Sequence, residues 1–337
     1  MRISISVAHD AWPEGPRGSA RQLERVVATA DEIGLDTVWV TDHLTRTDLT
    51  RTDLTRTDLT RTDPTRTDPT RSPDEAVLEA YATLGLLASR SERVRLGAMA
   101  SPVGNGAAGP LITAVTTLDV LSGGRAWLGI GAGYADHQAA ALGPPAPGAP
   151  ERFERMEDVL RLAHRMWSGD DSPFRGAHCD LARPYPSPLP LSGPHPPVLI
   201  GGNGEARMLP LVARYADACN LLDVPNGGAT IRRKLDILAV HCRKIGRPLG
   251  DIDTSVSVRL RPQESADELV AHCRHFAGLG IGHVVLVPGG PWTEASTRTL
   301  AAALPAVRGL HREEAAGPKA ARLDTYRAPA FGGAVPV

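Results

Sequence analysis

The chain has 337 residues, of which 42% are hydrophobic and 22% charged, so it can bury a large core in one or two α/β domains. Its 37 lysines and arginines balance 38 aspartates and glutamates, which makes nucleic acid and anionic membranes poor partners. The four cysteines lack C-x-x-C spacing, and no apolar run approaches the ~18 residues of a membrane span. We expect a soluble, cytoplasmic protein without a disulfide framework or a metal site.

Strands and helices alternate along the chain. It begins with a strand over residues 2–8, a helix that a Ser19–Gln22 capping box would start and Gly34 would end, and a strand that starts at Thr37. The later predicted elements are a helix after a Ser72–Glu75 capping box, strand 94–100, helix 110–121, strand 126–130, helix 153–167, a hairpin around Arg175-Gly176, strand 197–200, helix 208–215, strand 218–222, helix 229–245, strand 252–260, helix 265–279 with a Ser265–Glu268 capping box, strand 283–287 and helix 293–310.

Eight β-then-α units predict one (β/α)8 TIM barrel over residues 1–314, followed by an extended tail over 315–337. A doubly wound sheet is the alternative, but no G-x-G-x-x-G follows the first strand. Residues 45–72 form a pentapeptide repeat, inserted between strand 2 and helix 2, whose opposite charges nearly cancel. The repeat predicts a flexible loop, with a short pentapeptide solenoid as the alternative.

Two strand ends carry residues suited to chemistry. The second strand stops on Asp42 and His43, where His43 titrates near neutrality and would serve acid–base work, or would simply cap the strand. Gly201-Gly202-Asn203-Gly204 joins a buried strand to a helix, so its amides would bind a phosphate, or would only form a tight turn. A third strand ends in Gly131-Ala132-Gly133-Tyr134, which lets a ligand approach the backbone closely.

Six blocks of the sequence resemble the luciferase-like monooxygenase superfamily, and within it the coenzyme F420-dependent oxidoreductases. These blocks are residues 38–44, 94–97, 117–125, 128–134, 151–155 and 196–202. The resemblance implies a TIM barrel with the cofactor at the carboxyl ends of the strands.

The resemblance also assigns roles to individual residues. Asp42 matches a position that contacts the deazaflavin headgroup, and His43 a histidine that assists hydride transfer. Met99-Ala100 matches a bulge behind the ring system that often contains a non-proline cis peptide. The remaining matches are the phosphate site, at Gly201, Gly202 and Asn203, and the strand end beside the ring, at Gly131, Gly133 and Tyr134.

The function that these matches imply is hydride transfer between F420 and a small organic substrate, in a homodimer. An FMN-dependent monooxygenase is the alternative within the superfamily. Gln138 stands where relatives often carry glutamate, and the repeat begins two residues after His43. A third interpretation is therefore a catalytically impaired barrel that uses the repeat as an interaction arm.

Overall fold

The computed structural model describes residues 1–7, 15, 17–42, 78–103, 108–133, 147–185, 187–202, 204–224, 226–261 and 263–314. Three of the predicted site residues, His43, Tyr134 and Asn203, lie outside the described residues, as do the repeat and the predicted tail.

The described strands and helices alternate as the sequence predicts. The strands are β1 (Arg2–Val7), β2 (Thr37–Val40), β3 (Arg95–Ala98), β4 (Ser101–Pro102), β5 (Ala126–Gly131), β6 (Phe174–Arg175), β7 (Asp180–Leu181), β8 (Val198–Gly201), β9 (Ala218–Leu222), β10 (Asp253–Arg259) and β11 (His283–Val287). The helices are α1 (Ser19–Ile33), α2 (Ala80–Ala88), α3 (Ala108–Ser122), α4 (Ala149–Trp167), α5 (Met208–Tyr215), α6 (Ala229–Lys244), α7 (Ala266–Ala277) and α8 (Glu294–Glu314), with a 3₁₀ turn over Leu249–Asp251.

Parallel strands close into a barrel, in the order β1, β2, β3, β5, β8, β9, β10 and β11. The first and last strands pair in parallel, with Arg2 opposite His283, so the sheet has no open edge there. The predicted (β/α)8 barrel is therefore confirmed, and the doubly wound alternative is wrong. The predicted hairpin is also confirmed, because β6 and β7 pair antiparallel outside the barrel. No described helix has the length and hydropathy of a membrane span.

Helix ends test the local predictions. Gly34 ends α1 in the left-handed conformation (φ 78°), which glycine adopts at little cost, and Ser265 with Glu268 forms the predicted capping box of α7. The capping box predicted at Ser19 is wrong. Gly18 is the N-cap residue of α1 and makes no side-chain cap, while Ser19 is buried as the first helical residue.

Two tryptophans fill part of the barrel interior. Trp39 and Trp127 are buried with ring centroids 5.7 Å apart, at an interplanar angle of 50°. Glycine makes room for them, because a Cβ on Gly97 would lie 2.7 Å from Trp39 Cζ3 and 2.8 Å from Trp127 Cβ. A Cβ on Gly129 would overlap the carbonyl oxygen of Ala98. The two strands therefore approach closely only because these positions lack a side chain.

Polar side chains tie the amino-terminal ends of the strands together. Arg125, just before β5, donates from Nη1 to the Val94 carbonyl oxygen at 2.6 Å and from Nε to the Ser122 carbonyl oxygen at 2.7 Å. Its Nη2 donates to the carbonyl oxygens of Ser91 at 2.8 Å and Ala88 at 3.2 Å. One guanidinium thus joins the ends of α2 and α3 to the start of β3.

Asp119 holds a second connection at this end. The fully buried carboxylate accepts hydrogen bonds from the Leu191 amide at 2.7 Å and the Ser192 amide at 2.9 Å. The Ser192 hydroxyl donates to its other oxygen at 2.5 Å. Asp119 therefore fixes the segment that enters β8.

Two histidines with lowered pKa values lie at this end of the barrel, of which His283 is buried and His164 is partly exposed. Ser4 Oγ accepts from the Thr37 amide at 3.0 Å and lies 2.6 Å from Nε2 of His283, whose pKa burial lowers to about 3. Burial, and then the neighbouring His195, lowers the pKa of His164 to about 4. Because both pKa values are lowered, both imidazoles are neutral near pH 7.

Candidate active site at the carboxyl ends of the strands

At the opposite end of the barrel, the described residues that follow the strands are partly exposed. Although the strands are mostly buried, partly exposed residues lie at or just beyond their carboxyl ends: Thr41, Asp42, Met99, Ala100, Ala132, Gly133, Gly201, Gly202, Leu222, Asp223, Val287 and Pro288. In a parallel barrel these ends surround the mouth where active sites lie. We call this surface the barrel mouth.

Met99 and Ala100 cross between neighbouring strands at the barrel mouth. The Met99 amide donates to the Val40 carbonyl oxygen at 2.9 Å, which attaches this turn to the end of β2. Immediately afterwards β4 pairs with β5, placing Ser101 opposite Ile130. The peptide bond between Met99 and Ala100 is cis, as the resemblance implied.

Small residues from three strands meet beside this turn. A Cβ built on Gly131 would lie 3.5 Å from Ala100 Cβ and 3.6 Å from the Gly201 carbonyl oxygen, and one built on Gly201 would lie 3.6 Å from Ala100 Cβ. Three predicted site residues that are far apart in the sequence, Ala100, Gly131 and Gly201, thus lie side by side and form one wall of small residues. The absence of larger side chains leaves room for a flat ring system against this wall.

Gly202 turns the chain from β8 toward α5. Its φ of +136° is a conformation that favours glycine, and a Cβ there would lie 2.9 Å from Met208 Sδ. The Gly202 amide donates to the Asn220 carbonyl oxygen at 3.3 Å. The helix that follows begins at Met208 with Arg207 as an exposed N-cap residue, so positive potential accompanies this end of the turn.

Asp42 lies at the mouth near the partly buried phenol of Tyr81. Tyr81 Oη is 3.0 Å from Ser101 Oγ. Burial, and to a smaller extent the negative charges of Asp42 and Glu79, raises the pKa of Tyr81 above its ordinary value. Asp42 therefore contributes negative potential beside β4.

A chain of polar side chains crosses the barrel interior, and the sequence analysis missed it. Asn220 Nδ2 donates to Ser255 Oγ at 3.0 Å, and Ser257 Oγ donates to Asn220 Oδ1 at 2.9 Å. Asn220 and Ser255 are buried, whereas Ser257 is partly exposed. The available signal was the alternation of polar and valine residues from 255 to 258, which places both serines on the inward face.

The described site residues from the sequence analysis therefore meet at one end of one barrel. They are Asp42, Met99, Ala100, Gly131, Gly133, Gly201 and Gly202. His43, Tyr134 and Asn203 follow described strand ends in the chain, but their own positions are outside the described residues. Within the described part of the chain, no cluster of three or more His, Cys, Asp or Glu side chains has a metal-binding arrangement.

A closed parallel barrel with small residues around an open mouth is the architecture of an enzyme that binds its ligand at the strand ends. The chain belongs to the luciferase-like monooxygenase family, whose model matches residues 1–329. It is therefore an oxidoreductase of that family.

Individual proteins show how far the similarity extends. An F420-dependent glucose-6-phosphate dehydrogenase of Amycolatopsis mediterranei is 26% identical over 269 residues, covering 77% of this chain and 71% of that protein. Two solved structures share the fold. An F420-dependent secondary alcohol dehydrogenase in complex with an F420-acetone adduct has a TM-score of 0.71 at 16% identity, covering 91% of this chain and 99% of its own. An EDTA monooxygenase from Chelativorans sp. has a TM-score of 0.68 at 14% identity, covering 92% and 94%.

Proposed function

We propose that this protein is an F420-dependent oxidoreductase that transfers a hydride between the deazaflavin and a small organic substrate. The observation that carries the proposal is the meeting of Ala100, Gly131 and Gly201 at the barrel mouth. The wall they form fits a flat ring system, because any larger side chain at these positions would occupy the space above it.

Each part of the proposed site has a physical role. Met99 and Ala100 would support one face of the ring, anchored through the Met99 amide to β2. Gly201, Gly202 and Asn203 would bind the phosphate, since Gly202 allows the sharp turn and α5 begins shortly afterwards. Gly131, Gly133 and Tyr134 would line the edge of the ring, and Asp42 would contact its headgroup.

Proton transfer to or from the substrate would be carried out by the protein rather than by the cofactor. The chemistry that a deazaflavin supplies when bound is two-electron hydride transfer. His43, which follows Asp42 in the chain, would exchange a proton with the substrate oxygen or stabilise the charge that develops there. An imidazole suits this work because its ordinary pKa lies near neutrality.

The choice of deazaflavin over FMN rests on the relatives. Several sequence relatives that cover three quarters of this chain or more are F420-dependent dehydrogenases, such as the Amycolatopsis mediterranei protein and one from Microbacterium testaceum that is 27% identical over 255 residues. Similarity of fold alone does not separate the two cofactors, because a monooxygenase also matches the barrel.

Fluorescence titration of the purified full chain with F420 and, separately, with FMN tests the proposal. We expect saturable micromolar binding of F420, with a dissociation constant at least about tenfold lower than that of FMN. Binding of FMN alone would establish the FMN-dependent monooxygenase instead. Binding of neither would establish the catalytically impaired barrel, in which the 45–72 repeat is an interaction arm.

A second experiment tests the role of His43. His43→Ala should reduce turnover by about 100-fold or more while leaving the F420 dissociation constant within about twofold, because general acid–base groups act on the reaction rather than on binding. Unchanged turnover would remove His43 from the mechanism. Deletion of residues 45–69 is the matched test of the repeat, and a passive loop predicts normal F420 binding after deletion.

We also propose that the protein is a cytoplasmic homodimer. A groove of about 690 Å³ lies between α2, α3 and the β6–β7 hairpin. Leu121 and Tyr185 at this groove are each 68% exposed, which is unusual for large apolar side chains of a monomer. Leu121→Arg should therefore shift the protein toward a monomer in sedimentation velocity. A wild-type protein that already sediments as a monomer would contradict the proposed homodimer.

A further inference from the structure

One face of α6 is buried against the barrel, and a lysine lies on it. The buried residues of this helix are Ile231, Lys234, Leu238 and Cys242, which repeat at helical spacing. Lys234 is 4% exposed, although the other three positions of this face hold apolar side chains. A lysine is rarely buried so completely unless a negative group offsets the cost of removing its ammonium from water. Packing alone therefore does not explain this residue.

Lys234 lies toward the mouth end of the helix. Because α6 follows β9, its first turns lie beside the carboxyl ends of the strands, and Lys234 is in the second turn. The preceding residue, Arg233, is exposed and donates from Nε to Oε1 of Glu205 at 3.0 Å. Glu205 belongs to the turn that Gly202 begins after β8. Lys234 therefore lies on the barrel side of the contact between α6 and this turn.

Glu205, Arg233 and Lys234 form a charge cluster behind the turn. Burial lowers the pKa of Lys234, and the negative charge of Glu205 opposes that shift, so the carboxylate favours the charged ammonium. The same carboxylate also accepts hydrogen bonds from both Nε and Nη2 of Arg233. One negative group thus faces two positive groups, and the cluster carries a net positive charge. The single negative charge of a phosphodiester at the turn would balance it.

We propose that Lys234 is a positioning residue for the cofactor phosphate, whose negative charge it stabilises from behind the turn of Gly201 and Gly202. A buried cation suits this role, because water and salt screen its field less than that of a surface lysine. The inference rests on the proposed function in one respect, that this turn binds the phosphate of the cofactor. It adds the source of the positive charge, on a helix that the sequence analysis did not connect with the site.

Ligand pairs with and without a phosphate test the inference. One pair is F420 and the deazaflavin that carries only a ribityl chain, and the other is FMN and riboflavin. Fluorescence titration of the full chain gives the four dissociation constants. Lys234→Met keeps an unbranched stem and removes the charge, so the dissociation constant for F420 should rise about tenfold while that for the phosphate-free deazaflavin stays within about twofold. Equal changes for both, or an unchanged F420 dissociation constant, would overturn the inference.

Further variants separate the local charge from structure and from net charge. Lys234→Arg keeps the charge and should restore most of the affinity for F420. Lys244→Met is the matched control, because Lys244 is an exposed lysine in the last turn of the same helix, and all four dissociation constants should stay within about twofold. An equal loss of F420 affinity in Lys244→Met would mean that the net charge of the protein is responsible, and would overturn the inference.

A purely structural ion pair between Lys234 and Glu205 makes a different prediction. In that case the urea midpoint of Lys234→Met would fall, and both ligands of a pair would weaken alike. Lys234→Gln repeats the removal of the charge with a polar side chain. If neither Lys234→Met nor Lys234→Gln gives soluble protein, Lys234 is structural and the inference is wrong.

The second ligand pair keeps this inference distinct from the proposed function. If the protein binds FMN and not F420, the deazaflavin proposal fails, and FMN against riboflavin tests Lys234 in the same way. If the protein binds F420 and Lys234→Met leaves that affinity unchanged, the role of Lys234 fails while the proposed function stands. Binding of neither F420 nor FMN would overturn both.

Discussion

The two ends of the barrel differ in the size and polarity of the side chains that form them. At the amino-terminal end, charged side chains such as Arg125 and Asp119 make several hydrogen bonds to main-chain groups. At the barrel mouth, small residues such as Ala100 and Gly201 leave space, and Ser257 is partly exposed. Polar groups at the amino-terminal end therefore hold secondary-structure elements together, whereas the barrel mouth keeps space and polar groups for a ligand.

The resemblance blocks divide along the same line. Residues 117–125 include Asp119 and Arg125, both of which make structural connections at the amino-terminal end, here called the closed end. Residues 128–134 and 196–202 instead lead into Gly131 and Gly201 at the mouth. Substitutions at the amino-terminal end should therefore change stability, whereas substitutions at the barrel mouth should change ligand binding.

The largest effect is expected inside the barrel, between the two ends. Gly129→Ala places a Cβ on the Ala98 carbonyl oxygen, so β3 and β5 must separate. We expect the free energy of unfolding to fall by about 3 kcal/mol or more, or no soluble protein at all. Urea denaturation measures it. Gly85→Ala is the control, because nothing lies within 4 Å of its Cβ and alanine favours the helix.

The next effect belongs to the closed end. Arg125→Met keeps the aliphatic stem but leaves the carbonyl oxygens of Ser122 and Val94 without this donor, so the free energy of unfolding should fall by about 2–3 kcal/mol. The free energy of unfolding of Arg125→Lys should lie between those of Arg125→Met and the wild type, since lysine keeps the charge without the planar group. Affinity for F420 should not change in the folded fraction. A selective loss of F420 binding would contradict the separation of the two ends.

The third effect belongs to the barrel mouth. A Cβ on Gly201 would lie at an ordinary contact distance of 3.6 Å from Ala100 Cβ, so Gly201→Ala should change the free energy of unfolding by less than about 0.5 kcal/mol. The methyl group would occupy the proposed ring site, and the F420 dissociation constant should rise about tenfold, or about 1.4 kcal/mol. Titration and denaturation of the same preparation give both numbers. Unchanged affinity would exclude this wall from the cofactor site.

The last effect, read from a pH dependence and reduced at neutral pH, is acid sensitivity of the amino-terminal end. The pKa of His164 falls from its ordinary 6.5 to about 4 on folding, so below pH 6.5 the unfolded chain binds the additional proton. The contribution of His164 to the free energy of unfolding should therefore be fully present above pH 6.5 and decline as the pH falls toward 4. His164→Phe should make the decline shallower in urea titrations across that range. An identical slope in both proteins would mean that His164 titrates normally.

The sequence predicted the barrel well because the alternation of strands and helices repeats eight times and each element has its own hydrophobic pattern. Ser19 shows the limit of local rules: a capping motif was present, yet Gly18 took the N-cap position and Ser19 was buried. The direction of the Ser257 hydroxyl depends on partners in β9, whose register no local pattern contains. The register between neighbouring strands is therefore what the structure supplied and the sequence did not predict.

The paired tryptophans give the protein a built-in optical reporter. Trp39 and Trp127 lie inside the barrel, and Met99, at the proposed ring site, packs against them. A conjugated ring bound at the mouth would be within range of excitation transfer from both indoles, while the more distant Trp167 would respond less. The same packing that closes the interior makes occupancy of the mouth visible as a loss of intrinsic emission.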